Sequence, residues 1–369
     1  MAKPPVSAES LCGIAPHARP AAPYLSIILS TYNRSELLDP AIRSILGQHE
    51  AITPPLELVV VDNNSTDRTR EVVERFAPVD RRVRYVFEPQ QGLSYARNAG
   101  IRNARAPLVV FTDDDVRVEP DWVASILRAF GEFPEADVMG GRVLPAWPAA
   151  PPTWLTRDHW APLALADYGD VPLVVNADRP ICLVGANLAV RRSVFEVVGV
   201  FATDFQRVKD GVGSLEDHEF LLRLFRRGRK GVYDPRIVIH AEIQPNRLDR
   251  AYHRRWHTGH GRFHALLRSE HIEQTSVGTL FGVPAHLYRR ALREMVAWTG
   301  AMAAGKRARA FRHELALRFF GGFFQARRRE FLRKPRRERR REVWRLLRQT
   351  VQRREALTSP RKPAERSHG

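Results

Sequence analysis

The sequence predicts an α/β protein with a mostly parallel central sheet flanked by helices, followed by a basic helical C-terminal extension. Two observations point to the sheet. Short β-branched runs alternate with stretches of helical period over the first 140 residues, which suits strands covered on both faces. Four of these runs end in polar clusters, where the strands of an open α/β sheet meet a ligand. The third observation concerns charge. Residues 285–369 hold 25 Lys and Arg against 7 Asp and Glu, the whole net charge of +18, while residues 1–284 balance at 34 against 34.

The elements follow in order. Residues 25–30 form the first strand, and Ser35 is placed to cap a helix carrying Leu37, Leu38, Ile42, Ile45 and Leu46. Residues 56–61 are the second strand, and 67–76 a helix with Val72, Val73 and Phe76 inward. Residues 83–87 are the third strand, 94–104 an Ala-rich helix and 107–112 the fourth strand. Downstream, residues 215–226 have helical spacing, with Phe220, Leu221, Leu224 and Phe225 as the apolar positions.

The polar clusters are Thr31-Tyr32-Asn33-Arg34, Asp62-Asn63-Asn64-Ser65, Glu88-Pro89-Gln90-Gln91-Gly92 and Asp113-Asp114-Asp115. At the ends of parallel strands they converge on one crevice. The first strand is not followed by Gly-x-Gly-x-x-Gly, the turn that normally seats a dinucleotide pyrophosphate, and this counts against a dehydrogenase. A metal is another way to hold phosphate. Asp113 and Asp115 lie two apart, so in extended chain they point to one side, and hard carboxylates suit Mg²⁺ or Mn²⁺. The other reading of the triplet is an acidic surface turn.

The segments 25–34, 59–67 and 111–116, with Gly92-Leu-Ser-Tyr-Ala-Arg-Asn-Ala-Gly100, Val184-Gly-Ala-Asn-Leu-Ala-Val-Arg-Arg192, Val198-Gly-Val-Phe201 and Leu215-Glu-Asp-His-Glu-Phe220, resemble family 2 glycosyltransferases of the GT-A fold. The resemblance covers residues 24–265 in order. It implies an inverting hexosyltransferase-type enzyme that takes a sugar from a nucleotide diphosphate, with a UDP-sugar the expected donor. The expected acceptor is a saccharide or lipid-linked saccharide in cell-surface polysaccharide or glycoconjugate synthesis, and the expected cofactor is Mg²⁺ or Mn²⁺. By the same resemblance Ser30 and Tyr32 border the base, and Asp62 binds base or ribose unless it caps its own turn. Arg97 faces the base or diphosphate, or else forms a structural ion pair. Asn33, Asp113, Gly185 and Asn187 complete the nucleotide-sugar set, and Asp113 and Asp115 hold the metal.

Inverting transfer needs a base on the acceptor side, and the resemblance points to Asp217, with Glu216 beside it as a second catalytic carboxylate. In the first turn of a helix the dipole favours the ionised form of Asp217, and the like charge of Glu216 opposes it. The plainer reading is two acids decorating a helix N-terminus. His240, at the end of the Ile237-Val-Ile-His segment, resembles a family position near the site and is a further metal candidate.

Trp147, Trp154 and Trp160 lie in an irregular, Pro-rich stretch that suits either sugar stacking or buried packing. His253, His257, His260 and His264 recur at helical spacing, but Gly259 and Gly261 weaken such a helix and the neighbouring arginines favour a basic face over zinc. Arg255-Trp256 echoes the Arg-Trp pair of processive synthases, yet Tyr252 stands where their Gln does.

The division expected is a disordered leader over 1–23, a GT-A domain over 24–265 with a nucleotide-binding half (24–140) and an acceptor half (141–265), an amphipathic helical extension over 266–330, and a basic, partly disordered tail over 331–369. The extension suits an anionic membrane surface or a helical pair packed on the domain. The expected location is cytoplasmic, peripheral at the inner face of the cell membrane, since only Cys12 and Cys182 are present and no apolar stretch reaches membrane-spanning length. The alternatives are a non-catalytic basic interaction protein with a vestigial nucleotide-sugar fold and a nucleic-acid binder acting through residues 327–341. The neutral body argues against nucleic acid as a partner.

Overall fold

The computed structural model describes residues 23–48, 55–206, 215–268, 270–273, 278–341 and 344. Nearly all of the leader, Cys12 and most of the basic tail lie outside the described residues.

The first half alternates as the hydrophobic runs require: β1 (Leu25–Thr31), α1 (Ser35–Leu46), β2 (Leu56–Asp62), α2 (Thr69–Phe76), β3 (Val83–Phe87), α3 (Leu93–Asn103) and β4 (Leu108–Asp113). The second half continues with β5 (Val116–Val118), α4 (Trp122–Glu132), β6 (Val138–Ala146), β7 (Leu173–Val175), β8 (Leu188–Arg191), α5 (Val194–Val198), α6 (Glu216–Arg226), β9 (Gly231–Glu242) and α7 (Arg250–Leu267). The C-terminal part holds α8 (Glu270–Glu273), a hairpin of β10 (Thr279–Leu280) and β11 (Val283–Pro284), then α9 (Ala285–Ala303) and α10 (Arg307–Arg333).

The main sheet runs β3-β2-β1-β4-β8-β6-β9-β5, with β7 on β9. Strands β3, β2, β1 and β4 are parallel, and β8 joins β4 antiparallel. The chain moves from β1 to β2 on one side and later returns to place β4 on the other, leaving a switch point at the carboxyl ends. Register aligns those ends: Thr31 pairs with Asp62, Ser30 with Asp113, and Asp62 with Phe87. Every residue of β1 and β2 is buried, because helices cover both faces. One face packs Ile27, Leu29, Leu58 and Val110 against α1, α2 and α4; the other packs Ile28, Val59 and Phe111 against α3, α5 and α6.

Two local expectations change. Ser35 makes no side-chain cap; it is the first residue of α1, and Asp67 accepts its backbone N–H at 2.9 Å from the neighbouring loop. The same carboxylate accepts from Thr69 N, so one aspartate serves the entry to both α1 and α2. The glycines of α7 do not interrupt it. A Cβ on Gly261 would sit 2.0 Å from Phe319 O, and one on Gly322 would sit 2.0 Å from Thr258 O, so the glycines allow α7 and α10 to cross in backbone contact. Residue 265, where the sequence division falls, lies inside α7. Among the described residues no helix is long and apolar enough to cross a membrane.

Candidate active site

One buried arginine organises the centre. Arg97, on α3 and 2% exposed, lies 3.3 Å from Glu216, 3.6 Å from Asp217 and 3.7 Å from Asp113, with its guanidinium over the Phe201 ring. Burial would lower its pKa, but Asp217, Asp113 and Glu216 outweigh burial and raise it, so the charge is fixed. The guanidinium of Arg97 is thus engaged by three carboxylates, the geometry of an ion pair. It ties the end of β4 to the first turn of α6.

The two acids of α6 are held differently. Glu216 is 2% exposed, and burial, reinforced by the neighbouring Asp217 charge, pushes its pKa up to about 8. Burial also acts to raise Asp217, but the Arg97 charge and the Gly185 N–H, which donates to Asp217 Oδ2 at 2.7 Å, hold it below the ordinary carboxylate range. Burial and charge thus push the two adjacent carboxyls in opposite directions, which favours Asp217 over Glu216 as the ionised member of the pair. Asp217 also keeps 20% of its side chain exposed. Gly185 has a specific reason to be glycine, since a Cβ there would lie 2.6 Å from Arg97 and 2.7 Å from Asp217.

The aspartate triplet divides between two guanidiniums. Asp113 faces Arg97, whereas Arg34 Nη1 meets both Asp114 Oδ1 and Asp115 Oδ2 at 2.9 Å. Thr31 donates to Asp114 at 2.8 Å, and Arg247 lies 3.6 Å from Asp115. The extended-chain argument that sent Asp113 and Asp115 to one side is corrected here: the chain turns at Asp114 and Asp115, so Asp115 joins Asp114 on Arg34. Burial pushes Asp114 up to about 6. Arg34 and Arg247 had no role assigned in the sequence; the only signal was the position of Arg34 in a polar strand end.

The chemistry of the donor set nevertheless fits a hard divalent cation. Among the described residues no three His, Cys, Asp or Glu side chains form a ready cage. Mg²⁺ and Mn²⁺ commonly take one or two carboxylates and complete their shell with phosphate and water. Asp113 offers such an oxygen, with 29% of its side chain exposed.

Around this centre the loops after β1 and β2 are joined. Asn33, at φ 51°, accepts the Thr66 N–H at 2.7 Å and donates its own N–H to Ser65 at 3.0 Å. Asp62 accepts from Ser65 N at 2.9 Å and from Tyr85 OH at 2.8 Å, the turn-capping arrangement that was its alternative. Ser30 Oγ is buried with no hydrogen-bond partner among the described residues, and Tyr32 is half-buried.

Five further candidates sit outside the centre. Asn187 is a correction: Trp122 Nε1 donates to its Oδ1, and its two amide protons go to Arg142 O and Ile237 O, so this 1% exposed side chain has no donor left for a sugar. His240 Nε2 meets Glu119 at 2.6 Å, facing Arg117 across the β5–β9 ladder. Trp147, Trp154 and Trp160 pack against the core, and Trp154 lies edge-on to His159, His253 and Phe311.

The α7 histidines do not make a basic face. Burial lowers His257 and holds His260 well down, and it brings His253 to about 4, so these three are neutral packing groups against neighbouring aromatics. His264 stacks edge-on with His218, the residue after Asp217, at 5.6 Å.

An open α/β sheet with a carboxylate centre at its switch point is the class that fold and site define. The sequence profile of Glycosyl transferase family 2 matches residues 26–199. Glucosyl-dolichyl phosphate glucuronosyltransferase of Haloferax volcanii is 24% identical over 222 residues, covering 59% of this chain and 69% of its own. Validoxylamine A glucosyltransferase of Streptomyces hygroscopicus subsp. jinggangensis is 41% identical over 129 residues, 34% of this chain and 30% of that relative's length. In three dimensions the chain resembles the mannosyltransferase PcManGT from Pyrobaculum calidifontis, solved with GDP-Man and Mn²⁺, at a TM-score of 0.53 and 21% identity over 85% of this chain and 88% of that one. The chain is a glycosyltransferase with the GT-A fold, and its residues 26–199 match family 2.

Proposed function

We propose that this transferase moves a sugar from a nucleoside-diphosphate donor to a lipid-linked saccharide in a single inverting displacement, with Asp217 as the base. The observation that carries this is the opposed pair on α6. Asp217, ionised, partly open and fixed by Arg97 and the Gly185 N–H, can accept the proton of an acceptor hydroxyl. Burial and the neighbouring Asp217 charge push Glu216 upward beside it, which favours Asp217 as the ionised member of the pair. The lipid-linked acceptor is suggested by the Haloferax relative, whose name places its reaction on a dolichyl phosphate sugar.

Asp113 and Asp115 are the residues proposed to hold Mg²⁺ or Mn²⁺ with the donor phosphates. When bound, that cation offsets charge on the departing diphosphate. Ser30, with its buried unpaired hydroxyl in register with Asp113, and Asp62, at the end of the adjacent strand, border the proposed nucleotide position. A UDP-sugar is the proposed donor, and GDP-sugars belong in the same test because the Pyrobaculum neighbour was solved with GDP-Man.

The proposed membrane contact is α9. Leu292, Met295, Val296 and Met302 are at least half exposed and recur at helical spacing, with Arg289 and Arg293 exposed beside them. This supports a peripheral position at an anionic surface, proposed to be the inner face of the cell membrane.

The test of the transferase reading is thermal stabilisation by a panel of nucleoside diphosphates and their sugars, with and without Mn²⁺ or Mg²⁺. One nucleotide should raise the melting temperature only when metal is present, and Asp113→Asn and Asp115→Asn should abolish the shift. A panel in which no nucleotide and metal combination moves the melting curve contradicts the proposal.

A further inference from the structure

Between α7, α9 and α10 lies a cavity of about 560 Å³, within the range of about 300–1,000 Å³ common for small-molecule sites. Its wall includes Trp298, Leu317, Gly321, Gly322, Arg318 and Gln325. The floor is open because two consecutive residues of α10 have no side chain. Gly322 is needed for the helix crossing, but a Cβ on Gly321 would find no atom within 4 Å. Packing does not require glycine at 321; its absence of a side chain leaves the groove open.

Resting on the transferase reading, we propose that this groove receives the first isoprenoid units of the lipid-linked acceptor, with its phosphate at the arginine rim. Three features of the chain support the chemistry. Trp298 is a helical neighbour of Met295 and Met302, so the groove continues into the exposed apolar stripe of α9. A chain leaving a bilayer along that stripe enters the groove without crossing polar surface. The rim is positive: Glu314 is paired with Arg254 at 2.7 Å, Arg318 keeps 53% of its side chain exposed, and Arg262 is held beside the groove on Gln325. A surface contact alone would use the stripe and leave an inner groove with a guanidinium rim unexplained.

The third feature is distance. Thr258 lines the groove, and six residues further along α7 His264 touches His218, the neighbour of Asp217. Six helical residues rise about 9 Å, so α7 runs from the groove to the neighbour of the base in under two turns.

The experiment uses the full chain and a geranylgeranyl diphosphate bearing a terminal benzophenone. On irradiation, labelling should map to residues 314–325 and to the peptide around Trp298. Unlabelled geranylgeranyl diphosphate should compete, whereas inorganic pyrophosphate and phosphatidylglycerol vesicles should not. Gly321→Leu fills the groove without meeting the fold, and it should reduce labelling by about tenfold or more while leaving the nucleotide and metal melting shift unchanged. Labelling that survives Gly321→Leu, maps elsewhere or is displaced equally by vesicles overturns the groove assignment. Loss of the nucleotide shift in the unaltered chain would instead count against the transferase reading, so the two failures are distinguishable.

Discussion

At Gly185 the chain leaves no room for a side chain, and the reason is electrostatic. The Arg97 charge is the largest influence holding Asp217 below the ordinary carboxylate range, and the Gly185 N–H is the next. An added methyl must displace the guanidinium or the carboxylate, both of which are fixed by their partners. Gly185→Ala is therefore expected to weaken the hydrogen bond to Asp217 and raise its pKa. With a base that must be ionised, activity then falls off at a higher pH on the acid side. The pH profile of kcat/KM measures this, and an acid limb identical to that of the unaltered enzyme contradicts the role given to Gly185. The resemblance pointed to Asp217, and the helical pattern put it in the first turn of a helix, where α6 carries it. The orientation of Arg97 was not legible, since a motif does not show whether a guanidinium turns toward a ligand or toward three acids far apart in sequence. Asn187 was misleading for a similar reason: an amide two residues from Gly185 serves Trp122 and two backbone carbonyls instead of the cleft.

At the scale of elements, the strands and helices of the first half follow their periodicity closely, because β1, β2 and nearly all of β4 are buried on both faces and each helix covers one side. The helices beyond residue 250 follow their sequence less obviously. Glycine is a poor helix former in isolation, yet Gly261 and Gly322 are where α7 and α10 touch. Tertiary contact outweighs propensity there, which a single-helix reading does not detect. The same burial makes α7 acid-sensitive. His159, His253, His257 and His260 all have lowered pKa values, chiefly from burial. A histidine kept neutral in the fold but free to protonate when unfolded favours the unfolded chain as pH drops below about 6.5. His253, at about 4, contributes a loss of about 3 kcal/mol by pH 4. The urea midpoint should fall steadily from pH 7 to pH 5, and His253→Phe should make that slope shallower. A midpoint independent of pH in this range contradicts the neutral packing of α7.

Across the whole molecule, charge and chemistry are separated. The balanced body carries the sheet, the Arg97 centre and the opposed acids, and the cationic residues gather on the helices that pack beside it. Counting charge along the sequence revealed this division, but the groove between those helices arises from three elements and had no linear signature. Nor did the split of the aspartate triplet, because it depends on where the chain turns after β4. The account as a whole rests on Asp217 acting as the base in a site that binds its donor independently. The direct measurement is Asp217→Asn, assayed for both donor binding and release of nucleoside diphosphate with the nucleotide sugar and metal identified by melting shift. The variant should keep the metal-dependent shift of the unaltered enzyme and lose nucleoside diphosphate release by about 10²–10⁴-fold. Release within a few-fold of the unaltered enzyme, with the shift intact, would show that the base lies elsewhere.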